Sequence, residues 1–155
     1  MPHTAFVVRL AFLLMGMYSA QAQLRIVQYN TAGDARAGMS TILAAIGAES
    51  VNGAVKPPDA LALEEQTSSA TTQAIVDILN SLYGAGTYAR STVQGGTNGG
   101  GRPGLVYNTQ TVQLIATTTA STLSTSGAAR QTMRYELRPV GYDAAADFYM
   151  YVSHY

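Results

Sequence analysis

A chain of 155 residues without cysteine cannot be a disulfide-stapled scaffold, and its nine Lys and Arg balance nine Asp and Glu, so no basic surplus draws in a polyanion by charge alone. Charge thus excludes the strongly basic nucleic-acid binders, although an enzyme that grips one phosphate needs only a few local cations and a metal. The absence of tryptophan argues against a membrane-inserting loop.

From the N-terminus, the stretch Ala5 to Tyr18 is apolar apart from Arg9, and Ala20-Gln21-Ala22 has the small-x-small pattern that a signal peptidase reads. This predicts a signal peptide over residues 1–22, cleavage before Gln23, and a secreted or periplasmic protein with no stable membrane association. The uninterrupted apolar run from Leu10 to Met17 falls well short of the roughly 20 residues that a bilayer requires. Residues 23–155 then suffice for one modest domain held by packing and hydrogen bonds, with room for help from a bound cation.

The first strand is predicted over LRIVQYN, Leu24 to Asn30. Met39, Ile42, Leu43 and Ile46 follow at helical spacing, and Gly53 with Pro57-Pro58 closes that helix and forces an extended entry into a second strand, PDALALEE, ending at Glu65. Ile75, Ile78, Leu79 and Leu82 repeat the helical spacing, and Gly84 and Gly86 lead into a short strand around Tyr88 to Thr92. In a right-handed β-α-β unit, Asn30 and Glu65 emerge at the same edge of one sheet, where active sites are built.

GGTNGGGRPG, from Gly95 to Gly104, reads as a mobile loop too rich in glycine to pack. It lacks the Lys-Ser/Thr pair of a phosphate-binding P-loop. Beyond it the pattern is all-β: LVYN, VQLIATTT, MRYELRPV and DFYMYVSHY are strands, joined by the Thr119 to Gly127 tract and by Gly141 to Ala146. Helices first and hairpins after predicts an α+β fold, with a mixed sheet and two helices on one of its faces.

Three strand ends carry candidate chemistry. Alternation places Leu24, Ile26, Gln28 and Asn30 on one face, and the Asn30 amide can ligate a cation, orient a water, or simply start the turn through Gly33. Leu61, Leu63 and Glu65 share a face while Glu64 points away, so Glu65 is the better candidate of the two, a carboxylate beside leucines to be neutralised by a metal or a basic group, or else a solvated strand end. His154 ends a strand on the face of Phe148, Met150 and Val152, where an imidazole is usually structural but can also donate to a phosphate oxygen or leaving group. Arg134 can add a bidentate phosphate contact or be a surface charge on an edge strand.

The order of these segments resembles the N-terminal half of the endonuclease/exonuclease/phosphatase superfamily, the group of deoxyribonuclease I. Ile26 to Asn30 (IVQYN) is similar to that family's opening strand. Pro58 to Glu65 is similar to its Pro-Asp, aliphatic, Leu-Gln-Glu strand, with Glu64 in place of the usual glutamine. Gly104 to Asn108 and Val152 to Tyr155 resemble its third sheet element and its histidine strand.

The resemblance implies a domain over residues 23–155 that is half of a four-layer α/β/β/α sandwich, and a secreted phosphodiesterase or phosphomonoesterase that uses Mg²⁺ or Mn²⁺. Glu65 would ligate the metal with Asn30 in or beside its shell. His154 and Asn30 would be catalytic and Arg134 would bind substrate phosphate, with nucleic acid among the candidate phosphate esters. The family's Gly-Asp-x-Asn motif and late Asp-His pair are absent; the sole Gly-Asp is Gly33-Asp34. The expectation is therefore a truncated enzyme, inactive alone, that leaves one sheet without a partner and exposes Phe148, Met150 and Val152. The alternative is a secreted noncatalytic β-rich binding or adhesion module, consistent with ten tyrosines and Ser/Thr-rich connections.

Overall fold

The computed structural model describes residues 23–96, 100–122 and 130–154. The predicted signal peptide and most of the Ser/Thr tract lie outside the described residues. The chain runs β1 (Ile26–Gly33), α1 (Met39–Ala48), β2 (Ser50–Val51), β3 (Ala54–Val55), β4 (Ala60–Gln66), α2 (Ser69–Tyr83), β5 (Tyr88–Arg90), β6 (Arg102–Asn108), β7 (Val112–Thr119), β8 (Met133–Pro139), a single 3-10 turn (Ala144–Ala146) and β9 (Phe148–Val152).

A mixed sheet has the order β1-β4-β6-β5, with β1 and β4 parallel and the remaining pairs antiparallel. A second, antiparallel sheet has the order β7-β8-β9. The fold is α+β, as the order of helical and alternating patterns predicts.

Alternation along β4 divides the core in two. Leu61 and Leu63 pack toward the helices with Met39, Leu43, Ile75, Val76, Leu79, Tyr88 and Val106. Ala60 and Ala62 face the other way and join Leu105, Val112, Met133, Tyr135, Leu137, Met150 and Val152 between the two sheets. The small alanines on β4 leave room for Tyr135, which is fully buried and whose phenol is pushed above its ordinary pKa by that burial. The described layers are therefore helices, mixed sheet and antiparallel sheet.

This arrangement overturns the expected exposure of the last strand. Met150 and Val152 retain only 8% and 2% exposure because the mixed sheet covers them, and Phe148 is partly buried against the same core. The antiparallel sheet has its partner within the chain. Its opposite face carries the exposed Ile115, Tyr149 and Tyr151.

Two local readings also change. Helix α1 ends at Glu49, whose backbone N–H closes the last turn on Ala45 and Ile46, and not at Gly53. Asn52 and Gly53, at φ 50° and 78°, instead form the two-residue turn of the β2–β3 hairpin. The described ends of the glycine-rich loop are packed rather than loose: Gly95 lies against Pro103 and Gln131, and Gly104 is already part of β6, paired with Leu63.

Candidate active site at the strand ends

The parallel pair β1–β4 is regular as far as Asn30 opposite Glu64, and then both strands break register. Ala32 and Glu65 take left-handed backbone conformations, φ 49° and 56°, which cost a residue with a Cβ about 1–2 kcal/mol. The kink at Glu65 decides where its side chain goes. Leu61 and Leu63 face the helices, so simple alternation would send Glu65 there too, yet its carboxylate meets His154, which arrives from the antiparallel sheet. The face shared with the leucines, expected from alternation, is replaced by this turn.

Glu65 Oε1 is the point of convergence. Asn30 Nδ2 donates to it at 3.0 Å, and His154 Nε2 lies 3.3 Å away. Asn30 Oδ1 accepts the Ala32 backbone N–H at 2.8 Å, which fixes the amide so that its nitrogen faces Glu65. In this arrangement Asn30 orients the carboxylate, and its own oxygen is occupied in the turn. His154 is held through its carbonyl, which accepts from Arg130 N at 3.1 Å, while its buried Nδ1 has no hydrogen-bond partner among the described residues. The carboxylate is part-exposed, at 30%, and the imidazole more covered, at 19%.

The kink depends on Gly101. A Cβ at that position would land on the Cα and carbonyl of Glu65, and Gly101 itself has φ +82°, so the glycine-rich segment presses its backbone onto the candidate site. The adjoining Gly100 is covered by the Arg130 guanidinium.

Behind the site a buried polar chain pins both strand ends to α2. Thr31 Oγ1 donates to the Glu64 carbonyl at 3.0 Å and accepts from Gln66 Nε2, and Gln66 Oε1 accepts from Thr72 of α2 at 3.1 Å. Thr67 and Thr71 both donate to Asp34 Oδ1. Glu64, nearly buried, accepts from Gln28 of β1 instead of joining Glu65 at its oxygen.

Compared with protein-family models and with curated proteins, the chain matches none.

Of the four residues singled out from the sequence, three meet. Arg134 does not: it lies on the outer face of β8, donating to Thr118 at 3.1 Å with its guanidinium 5.0 Å from the Tyr149 ring centroid. The arginines at the site's margin are Arg130, against Gly100, and Arg36, which donates to the Ala32 carbonyl at 2.6 Å. Sequence reasoning missed Arg130, Arg36 and Gly101. The glycine-rich run GGTNGGGRPG that holds Gly101 was the visible hint, since glycine is required where backbones approach closely.

Among the described residues no three His, Cys, Asp or Glu side chains gather as a ready metal cage. A single carboxylate oriented by an amide still fits Mg²⁺ or Mn²⁺, because such an ion uses one or two carboxylates and takes its other oxygens from water and substrate phosphate.

Proposed function

We propose that the chain carries the metal-dependent phosphate-ester centre of an endonuclease/exonuclease/phosphatase-type hydrolase. The observation that supports this reading most is the convergence of Asn30, Glu65 and His154, from three separate segments, on one carboxylate oxygen. Glu65 would hold Mg²⁺ or Mn²⁺, and Asn30 keeps that carboxylate in position. When bound, the ion supplies Lewis-acid polarisation of a phosphoryl group and offsets charge on the leaving oxygen.

His154 Nε2 stands 3.3 Å from the carboxylate, and in this reading it would donate to a phosphate oxygen once substrate is bound. The carboxylate is part-exposed, and the reading takes as substrate a phosphate ester such as a nucleic-acid or lipid phosphodiester. No helix among the described residues is long and apolar enough to cross a membrane. Because Gly-Asp-x-Asn and Asp-His are absent from the sequence, the reading assigns cation and phosphate binding to this chain without turnover by it alone.

The test is Mn²⁺ and Mg²⁺ titration of the full chain, followed by calorimetry and thermal unfolding. Cation should raise the unfolding temperature of the wild type and leave that of Glu65→Gln unchanged. Equal stabilisation of both proteins, or none of either, would sink the reading.

A second reading, the noncatalytic binding module, draws on a different face: the exposed Tyr149 and Tyr151, with Arg134 stacked over the first. In that case Glu65→Ala leaves ligand binding intact, and Tyr149→Ala removes it.

A further inference from the structure

The mixed sheet ends at β1, and no other described strand pairs with its far side. The orientation of its backbone follows from one residue: the Arg25 carbonyl accepts Asp59 N and Ala60 N, so it faces β4. Alternation then turns the N–H and C=O groups of Ile26, Gln28 and Asn30 outward, where no strand receives them. Natural sheets blunt such edges with lysine, proline or inward-pointing charge. From Ile26 to Asn30 β1 has none of these, and its register break comes only after Asn30. Beside it two apolar side chains stand exposed, Ile26 at 49% and Val51 at 44%, in a surface cavity that Arg25, Glu49 and Lys56 also line.

We propose that β1 is a self-pairing edge and that its occupant is β1 of a second copy of this chain, antiparallel about a two-fold axis through Gln28. The strand is complementary to itself in that register. Gln28 faces Gln28 of the second copy and Ile26 faces Asn30, all three being residues whose backbone groups point outward, so every pair on the axis side is a hydrogen-bonded one. Val27 then falls opposite Tyr29 at the closer, non-hydrogen-bonded positions, which gives a β-branched and aromatic pair at each end. Val27 and Tyr29 already lean on the helix-side core, so pairing extends that core across both copies. An isologous contact of this kind closes at two subunits.

Registers one residue away lose this match. A shift of one residue sets inward-bonded positions against outward ones and turns every side chain to the wrong face. The pairing also clamps Asn30 from outside, on the strand end that orients Glu65, without adding any residue to the site.

Light scattering on the size-separated full chain, over a concentration series, tests the proposal. Wild type should run as a dimer. Ile26→Pro removes only an outward N–H, so it should keep the helix and strand signal in circular dichroism while weakening association about tenfold or more. If proline disturbs folding, Gln28→Lys serves instead: it retains a donor toward Glu64 but sets two ammonium groups opposite one another, and it should also give monomers. A monomeric wild type, or a dimer that survives both substitutions, overturns the proposal.

Discussion

The two ends of the parallel pair β1–β4 use similar residues for opposite purposes. At the start, Arg25 donates to the carbonyls of Ile46, Glu49 and Ala54, and Asp59 accepts both Arg25 N and the Lys56 ammonium at 2.6 Å. At the finish, Glu65 sits in a strained backbone, part-exposed, with an amide and an imidazole around one oxygen. The first end clasps α1 and the β2–β3 hairpin to the sheet with charged groups that have found partners, Asp59 through its Oδ2. The second keeps a carboxylate available. An ion pair is therefore informative about function only together with its surroundings, since buried and bonded charges hold structure while strained, accessible ones are retained for other chemistry.

Four substitutions sharpen or break this contrast. The largest effect is expected at the clasp: Asp59→Ala, at a position 1% exposed, should cost about 3 kcal/mol in denaturant unfolding and leave cation binding unchanged. Gly101→Ala should cost about 2–3 kcal/mol, through its left-handed backbone and the collision with Glu65, and should also weaken Mn²⁺ binding in a calorimetric titration. If that binding is unaffected, the glycine does not position the carboxylate.

Glu65→Gly should act in the opposite sense on stability, raising it by about 1 kcal/mol as the left-handed strain is relieved while cation-dependent stabilisation disappears. A loss of stability there would mean that Glu65 belongs with the clasp.

The smallest effect lies away from both ends, at Arg138 and Asp147, and serves as a control. The hydrogen bond from Arg138, followed by its charge, holds the Asp147 carboxyl below its ordinary value. A depressed folded value means that the contribution is present above about pH 4 and is lost as pH falls through that depressed value. Urea midpoints of wild type and Asp147→Asn should therefore differ most near neutrality and converge in acid. Parallel curves would show that the pair contributes no pH-dependent stability.

Much of the fold was legible because its signals are local. The helical spacing of Met39, Leu43, Ile75 and Leu79 becomes the helix-side core, and the alternation of Met133, Tyr135 and Leu137 becomes the core between the sheets. Hairpin β2–β3 escaped notice because its strands are two residues each, although Asn52-Gly53 is a strong turn signal. The candidate site was legible in membership for Asn30, Glu65 and His154. Its mode of assembly was not, because the kink at Glu65 answers to Gly101, which reaches it only through the folded chain. Arg134 was weighed for its charge and strand position. Burial of Met133, Tyr135 and Leu137 toward the other sheet turns it outward instead.

By itself the sequence determined the kinds of element, their order, and the emergence of Asn30 and Glu65 at one sheet edge, since periodicity and β-α-β handedness are set within a few dozen residues. The tertiary structure alone decided which way Glu65 turns, that His154 crosses from the other sheet to meet it, and that Met150 and Val152 are covered. Each of these depends on surfaces brought together from distant parts of the chain, where close packing and the cost of unpaired polar groups outweigh local preference.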